Sequence, residues 1–197
     1  SGALAAASGL CVVSVDYRLA PEHVAPAPIA DGLAAIAHVL AADAGNSVVL
    51  CGDSAGAAIA LAVAAAAKAR ISGIAACYGS YGLLESNSLR QFGTREDGLD
   101  VACLARIWSA AHEPNAAGPY AIGAISNAGS APVYLLAGGR EPLLDDSIAL
   151  AQALRVSGRL AGLDVVAGEG HGFLHAGPAA RAAFERLAQW IGALPPR

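Results

Sequence analysis

The sequence predicts an α/β domain built on a mostly parallel sheet with helices on both faces. Three observations carry that expectation. Short β-branched runs alternate with longer helical runs along most of the chain. The strand-like runs are apolar nearly throughout instead of alternating, as in strands covered on both sides. The 197 residues also suit one domain with one sizeable core.

Taken in order, Ser1 and Gly2 already read as part of a helix. Strands are predicted at Cys11–Val15, Ser47–Cys51, Gly73–Cys77, Pro132–Ala137 and Asp164–Ala167. A helix opens at Pro28, a position that tolerates proline, and sets Ile29, Leu33, Ile36, Ala37 and Leu40 on one stripe. The next runs from Ser54 to Arg70, and a third from Val101 to His112 stops before Pro114. A fourth, Asp145 to Leu160, holds its acids in the first turn, where the helix dipole favours them. The last, Pro178 to Leu194, turns Phe184, Leu187, Trp190 and Ile191 inward. Between Tyr78 and Pro119 the alternation stops, and a connection this long reads as a lid or binding element. The expected organisation is one domain over 1–197 with a cap-like insertion around 79–118.

Composition narrows the function. The chain is 55% hydrophobic and 14% charged with mean hydropathy +0.50, but the excess is alanine, at 49 positions. No apolar run reaches the ~18 residues of a membrane-spanning helix; the nearest, Ala55 to Ala67, stops at Lys68. So apolar a chain is not disordered. A net charge of −4 with 12 scattered Lys and Arg argues against nucleic acid and anionic membranes as partners. Cys11, Cys51, Cys77 and Cys103 form no Cys-x-x-Cys pair and have no histidine at ligand spacing, which argues against zinc. Three lie in strand-like runs and read as reduced core thiols, and no secretory signal opens the chain; both point to a cytoplasmic protein. Neither a metal nor an organic cofactor is expected.

One motif carries chemistry. Gly52-Asp53-Ser54-Ala55-Gly56 fits G-x-S-x-G, with a buried strand before it and an alanine-rich helix after it. On such a turn the serine hydroxyl projects above the sheet edge. Side chains at 52 and 56 would collide with the neighbouring strand and helix, and the Ala55 N–H at the helix start points where an oxyanion would form. A serine needs a base, and the base an orienting acid, each in a loop after a later strand. Glu141 follows the fourth predicted strand and His171 the fifth. His175 lies past the glycine turn, so His171 is preferred. The acid is the least determined position, with Glu141 ahead of Asp145 and Asp146, which fit as caps of the following helix. His23, His38 and His112 have no such setting and read as structural or surface residues.

With these residues in view, the chain resembles the bacterial hormone-sensitive-lipase-like esterases of the α/β-hydrolase fold over nearly its whole length. Val15-Asp16-Tyr17-Arg18-Leu19-Ala20-Pro21-Glu22-His23, the Gly52–Gly56 elbow, Glu141-Pro142-Leu143-Leu144-Asp145 and His171-Gly172-Phe173 match the family's motifs in order. The resemblance implies a serine carboxylesterase acting on small, short-acyl esters. Ser54 would be the nucleophile, His171 the general base and then acid, and Glu141 the orienting carboxylate. The family's His-Gly-Gly-Gly motif, which supplies oxyanion donors, does not occur in these residues. By the same resemblance it would lie before Ser1, on a strand between the runs at 11–15 and 47–51. The expectation is therefore that N-terminal strands and part of the cap are missing from this chain, or that the sheet is rebuilt, with a homo-oligomer as one way to do so. The alternative function is a non-catalytic small-molecule-binding member or an inactive fragment of the same fold.

Overall fold

The computed structural model describes residues 1–42, 47–68, 71–95, 99–112, 118–127 and 129–194. Four parallel strands lie side by side in sequence order: β1 (Val48–Asp53), β2 (Ile71–Cys77), β3 (Val133–Gly138) and β4 (Leu160–Val166). The helices are α1 (Gly2–Ser8), α2 (Ala27–Ala42), α3 (Ala55–Ala66), α4 (Asn87–Phe92), α5 (Val101–Ala111), α6 (Ile122–Ser126), α7 (Leu144–Val156), α8 (Phe173–Ala176) and α9 (Ala180–Gly192).

The two-residue period of the strands sorts the core onto two faces. Ile74 and Ala76 of β2, with Val133 and Leu135 of β3, pack against α2, α3, α6 and α7. Ala75, Cys77, Tyr134 and Leu136 face the other way, onto α1, α8 and α9. β2 is buried at all seven positions, Ser72 included, as expected of a central strand covered on both faces. On α9 the predicted inward set holds, with Leu187 and Ile191 buried and Phe184 and Trp190 packed beside them. On α2, Ile29 and Ile36 are buried as expected, whereas Ala37 faces solvent.

Four sequence-based expectations need correction. Residues 11–15 form no strand, and Leu10, Val13, Val15 and Leu19 are exposed. Among the described residues no strand pairs with the outer edge of β1, and residues 11–15 do not occupy it. The stretch after it is held by side chains instead. The Arg18 guanidinium forks onto Asp31 of α2 at 2.8–3.0 Å, and its backbone N–H donates to the same carboxylate at 2.9 Å. Cys11 and Cys51 are exposed and Cys103 is half-buried, so only Cys77 is a fully buried thiol. Finally, the fourth helix does not run to Leu160. It ends at Val156, Gly158 takes φ +70°, and Leu160 already pairs with Val133 as the first residue of β4. The second helix likewise stops at Ala66, and Ala69 and Arg70 of its predicted end lie outside the described residues.

Residues 79–118 hold α4 and α5, those numbered 96–98 and 113–117 lying outside the described set. Ser86 caps α4 by accepting from Leu89 N–H, and Asp100 caps α5 by accepting from Cys103 N–H. Trp108 of α5 donates to Ser80 Oγ at 2.9 Å, tying α5 to the start of this stretch.

Candidate active site

Parallel strands present all their C-terminal ends at one rim, and each loop there contributes a side chain. After β1, Ser54 takes φ 52° and ψ −121°, a strained turn that aims its hydroxyl away from the strand. The Ser54 N–H donates to the Cys77 carbonyl at 2.9 Å, pinning the turn to β2. Gly52 is obligatory: a β-carbon there would fall on the Gly56 carbonyl. Gly56 is different from its expectation. The nearest atom to a β-carbon placed there is the Tyr17 hydroxyl at 3.9 Å, so no neighbouring backbone demands a glycine. Ala55 opens α3 and is exposed.

After β3 the chain turns through Gly138 and Gly139 to Glu141, and after β4 through Gly168 and Gly170 to His171. The two loops are laced by Gly139 N–H to Val166 O at 2.8 Å and Arg140 N–H to Glu169 O at 2.9 Å. A β-carbon at Gly138 would meet the Glu169 carbonyl, so glycine permits this approach. Behind the histidine loop the buried Glu169 carboxylate accepts the Ala179 N–H at the start of α9.

The result is a continuous hydrogen-bonded line. Ser54 Oγ lies 2.9 Å from His171 Nε2, and His171 Nδ1 lies 3.0 Å from Glu141 Oε2. The Gly138 N–H donates to Glu141 Oε1 at 2.9 Å, so both carboxylate oxygens are engaged. Glu141 has no solvent exposure, and His171 is 17% exposed. Burial pushes the Glu141 carboxyl up from its usual range, a rise opposed by its hydrogen bond from His171. Such a line holds the imidazole with Nδ1–H on the carboxylate and Nε2 free to take a proton from the serine.

The other candidates are used elsewhere. Asp145 accepts from Ser88 N–H at 2.9 Å, and Asp146 from Tyr81 N–H at 2.5 Å and Leu83 N–H at 3.3 Å. Neither caps α7, whose N-cap residue is Leu143. Both aspartates fasten the stretch after β2, a role that first-turn position alone does not reveal. His175 pairs with Asp53 at 2.9 Å, not with Ser54. Tyr78 was not anticipated. It follows β2 at φ 39°, its ring stands edge-on to His171 at 5.0 Å, and its hydroxyl donates to Asp53 Oδ2 at 3.4 Å. Burial, then the Asp53 charge, raises its pKa. Its place one residue past a strand's C-terminal end was the available signal. No group of residues able to hold a metal ion occurs among the described residues, and none of their helices is long and apolar enough to cross a membrane.

A parallel α/β scaffold with a serine elbow and an acid–histidine pair on its rim defines the serine-hydrolase class of site. A family profile described as alpha/beta hydrolase fold matches residues 1–175. Esterase LipI of Mycobacterium tuberculosis (strain ATCC 25618 / H37Rv) is 37% identical over 166 residues, covering 75% of this chain and 50% of its own length. Carboxylic ester hydrolase LipN of the same organism is 32% identical over 184 residues, covering 83% and 49%. Among solved structures, a hormone-sensitive lipase from a metagenome library superposes with TM-score 0.88 at 25% identity, covering 98% of this chain and 70% of that one. The chain belongs to the α/β-hydrolase family, among its hormone-sensitive-lipase-like esterases. It spans about half the length of the curated relatives it matches.

Proposed function

We propose that this chain carries the catalytic machinery of a serine carboxylesterase for small, short-acyl esters. The observation that supports it is the Ser54–His171–Glu141 line, with both links near 3 Å although the three residues come from separate loops. In this reading His171 Nε2 takes the Ser54 proton as Oγ attacks the ester carbonyl. The Ala55 N–H, at the start of α3, receives the negative oxygen. His171 then protonates the departing alcohol, and a water deprotonated by His171 releases the acid from Ser54. Glu141 stays ionised, holding Nδ1–H and stabilising the imidazolium. Residues 79–118 are read as a lid-like insertion, joined to the rest of the fold by the Ala111 carbonyl accepting from Ala25 N–H at 3.0 Å and by Ser88 N–H donating to Asp145 at 2.9 Å.

The test is Ser54→Ala with p-nitrophenyl butyrate as substrate: hydrolysis by the wild-type chain and loss of it in the variant are expected. Turnover that survives in the pure variant would exclude this mechanism. The alternative reading is a non-catalytic small-molecule-binding member of the same fold. A fluorophosphonate probe separates the two, because an activated Ser54 is labelled and a receptor's serine is not.

A further inference from the structure

We infer that His175 is a positioning residue, which with Asp53 and Tyr78 holds the catalytic imidazole in register with the nucleophile. This rests on the serine-esterase reading of the site. The loop that delivers His171 is weakly specified by its own backbone, since Gly168 and Gly172 both sit at positive φ and Gly170 lies between them. Upstream, Glu169 ties the loop to Arg140 and to α9. Downstream, the polar tie to the nucleophile side is His175 Nε2–H donating to Asp53 Oδ2 at 2.9 Å. Adjacent residues of the elbow thus hold histidines four positions apart: Ser54 bonds His171, and Asp53 bonds His175.

Asp53 does more than accept one bond. Its Oδ2 also takes the Tyr78 hydroxyl, and the Tyr78 ring packs edge-on against His171 at 5.0 Å and Phe173 at 5.6 Å. One carboxylate therefore fixes the ring that walls the imidazole and the short helix that follows it. Folding alone does not call for this arrangement. The His175 and Asp53 side chains are 73% and 47% exposed, water would satisfy both, and an exposed pair adds little to stability. What the pair restricts is the placement of His171, to which catalysis is sensitive, a misplacement of about 1 Å costing about 10² in rate.

The experiment compares wild type, His175→Ala, His175→Gln, Asp53→Ala and the double Ala variant, with Arg181→Ala, which breaks another exposed ion pair, as control. It reads kcat and KM for p-nitrophenyl butyrate and, independently of activity, the NMR signal of the His171 Nδ1 proton. His175→Ala is expected to lower kcat about fivefold (roughly 1 kcal/mol) with KM within about twofold. His175→Gln, which keeps an N–H for Asp53, restores most of it, and the double variant is no worse than Asp53→Ala. The Nδ1 proton signal broadens in His175→Ala and stays sharp in His175→Gln and Arg181→Ala. A wild-type kcat in His175→Ala, or an unaltered signal there, overturns the inference. A wild-type chain inert to both ester and fluorophosphonate overturns the esterase reading instead, and the proton signal then decides the positioning role alone.

Discussion

Replacing Glu141 with glutamine tests the acid assignment with almost no change in shape. Its two oxygens have separate duties, Oε1 accepting from Gly138 N–H and Oε2 from His171 Nδ1–H. Glutamine has one acceptor to divide between them. If its oxygen stays on His171, its NH2 faces the Gly138 N–H, leaving a buried donor unpaired at a cost of about 1–3 kcal/mol. If its oxygen stays on Gly138, its NH2 donates to Nδ1 and every group keeps a bond. The second arrangement wins, and it moves the imidazole proton to Nε2, which then cannot accept from Ser54. Losing the base in this way in a triad costs about 10³–10⁴ in kcat, or roughly 4–5.5 kcal/mol of barrier. The assay is kcat and KM for p-nitrophenyl butyrate, with thermal unfolding beside it. Burial raises the Glu141 pKa in the fold, so its ionised form is held at a cost at neutral pH. That contribution to stability is complete at low pH and fades as pH rises through the folded value. The glutamine variant should therefore melt no lower than wild type at pH 7. A kcat within tenfold of wild type in a folded variant would refute the assignment of Glu141.

Three further outcomes follow from the same coordinates. Asp146 is fully buried, its Oδ2 has no hydrogen-bond partner among the described residues, and burial lifts its pKa from 3.8 to about 6. A raised folded value means stability is lost as pH rises between those limits, so Asp146→Asn should gain on wild type by up to about 3 kcal/mol from pH 4 to pH 7, read by urea unfolding at each pH. The buried Arg159 guanidinium donates to the carbonyls of Ile125, Ser126 and Ala131 at 3.1–3.2 Å, and Arg159→Met, which leaves three acceptors bare, should cost about 3–5 kcal/mol in the same assay. Gly52→Ala should fail to give folded protein, whereas Gly56→Ala should fold with an unchanged or higher melting temperature, since alanine is preferred to glycine in a helix by about 0.5–1 kcal/mol. Equal behaviour of the two glycine variants would contradict the packing described here.

Much of the molecule was legible before any coordinates. Four of the five predicted strands exist, and the run Ile74–Cys77 is buried on both faces of the sheet, as its unbroken apolar character suggested. Ser54 was legible because the elbow's spacing is local, and Glu141 and His171 because the rim of a parallel sheet is populated in chain order. The failures share one cause. Residues 11–15 have the composition of a strand, but strand pairing is settled by distant parts of the chain, and these residues pair with none of the four strands. Leu160 fits a helix or a strand equally well until Val133 is beside it.

Side-chain partners across the fold were less legible still. First-turn aspartates look like caps in one dimension, yet Asp145 and Asp146 reach the stretch after β2, which no spacing rule connects to α7. His175 looked like a rival to His171 and instead meets Asp53, 122 positions away. Sequence by itself determined the layered α/β architecture and the serine elbow, because short-range periodicity and turn sterics are written in consecutive residues. Only the tertiary structure decided which carboxylate faces which imidazole, because a bond of about 3 Å between distant residues depends on how the loops converge.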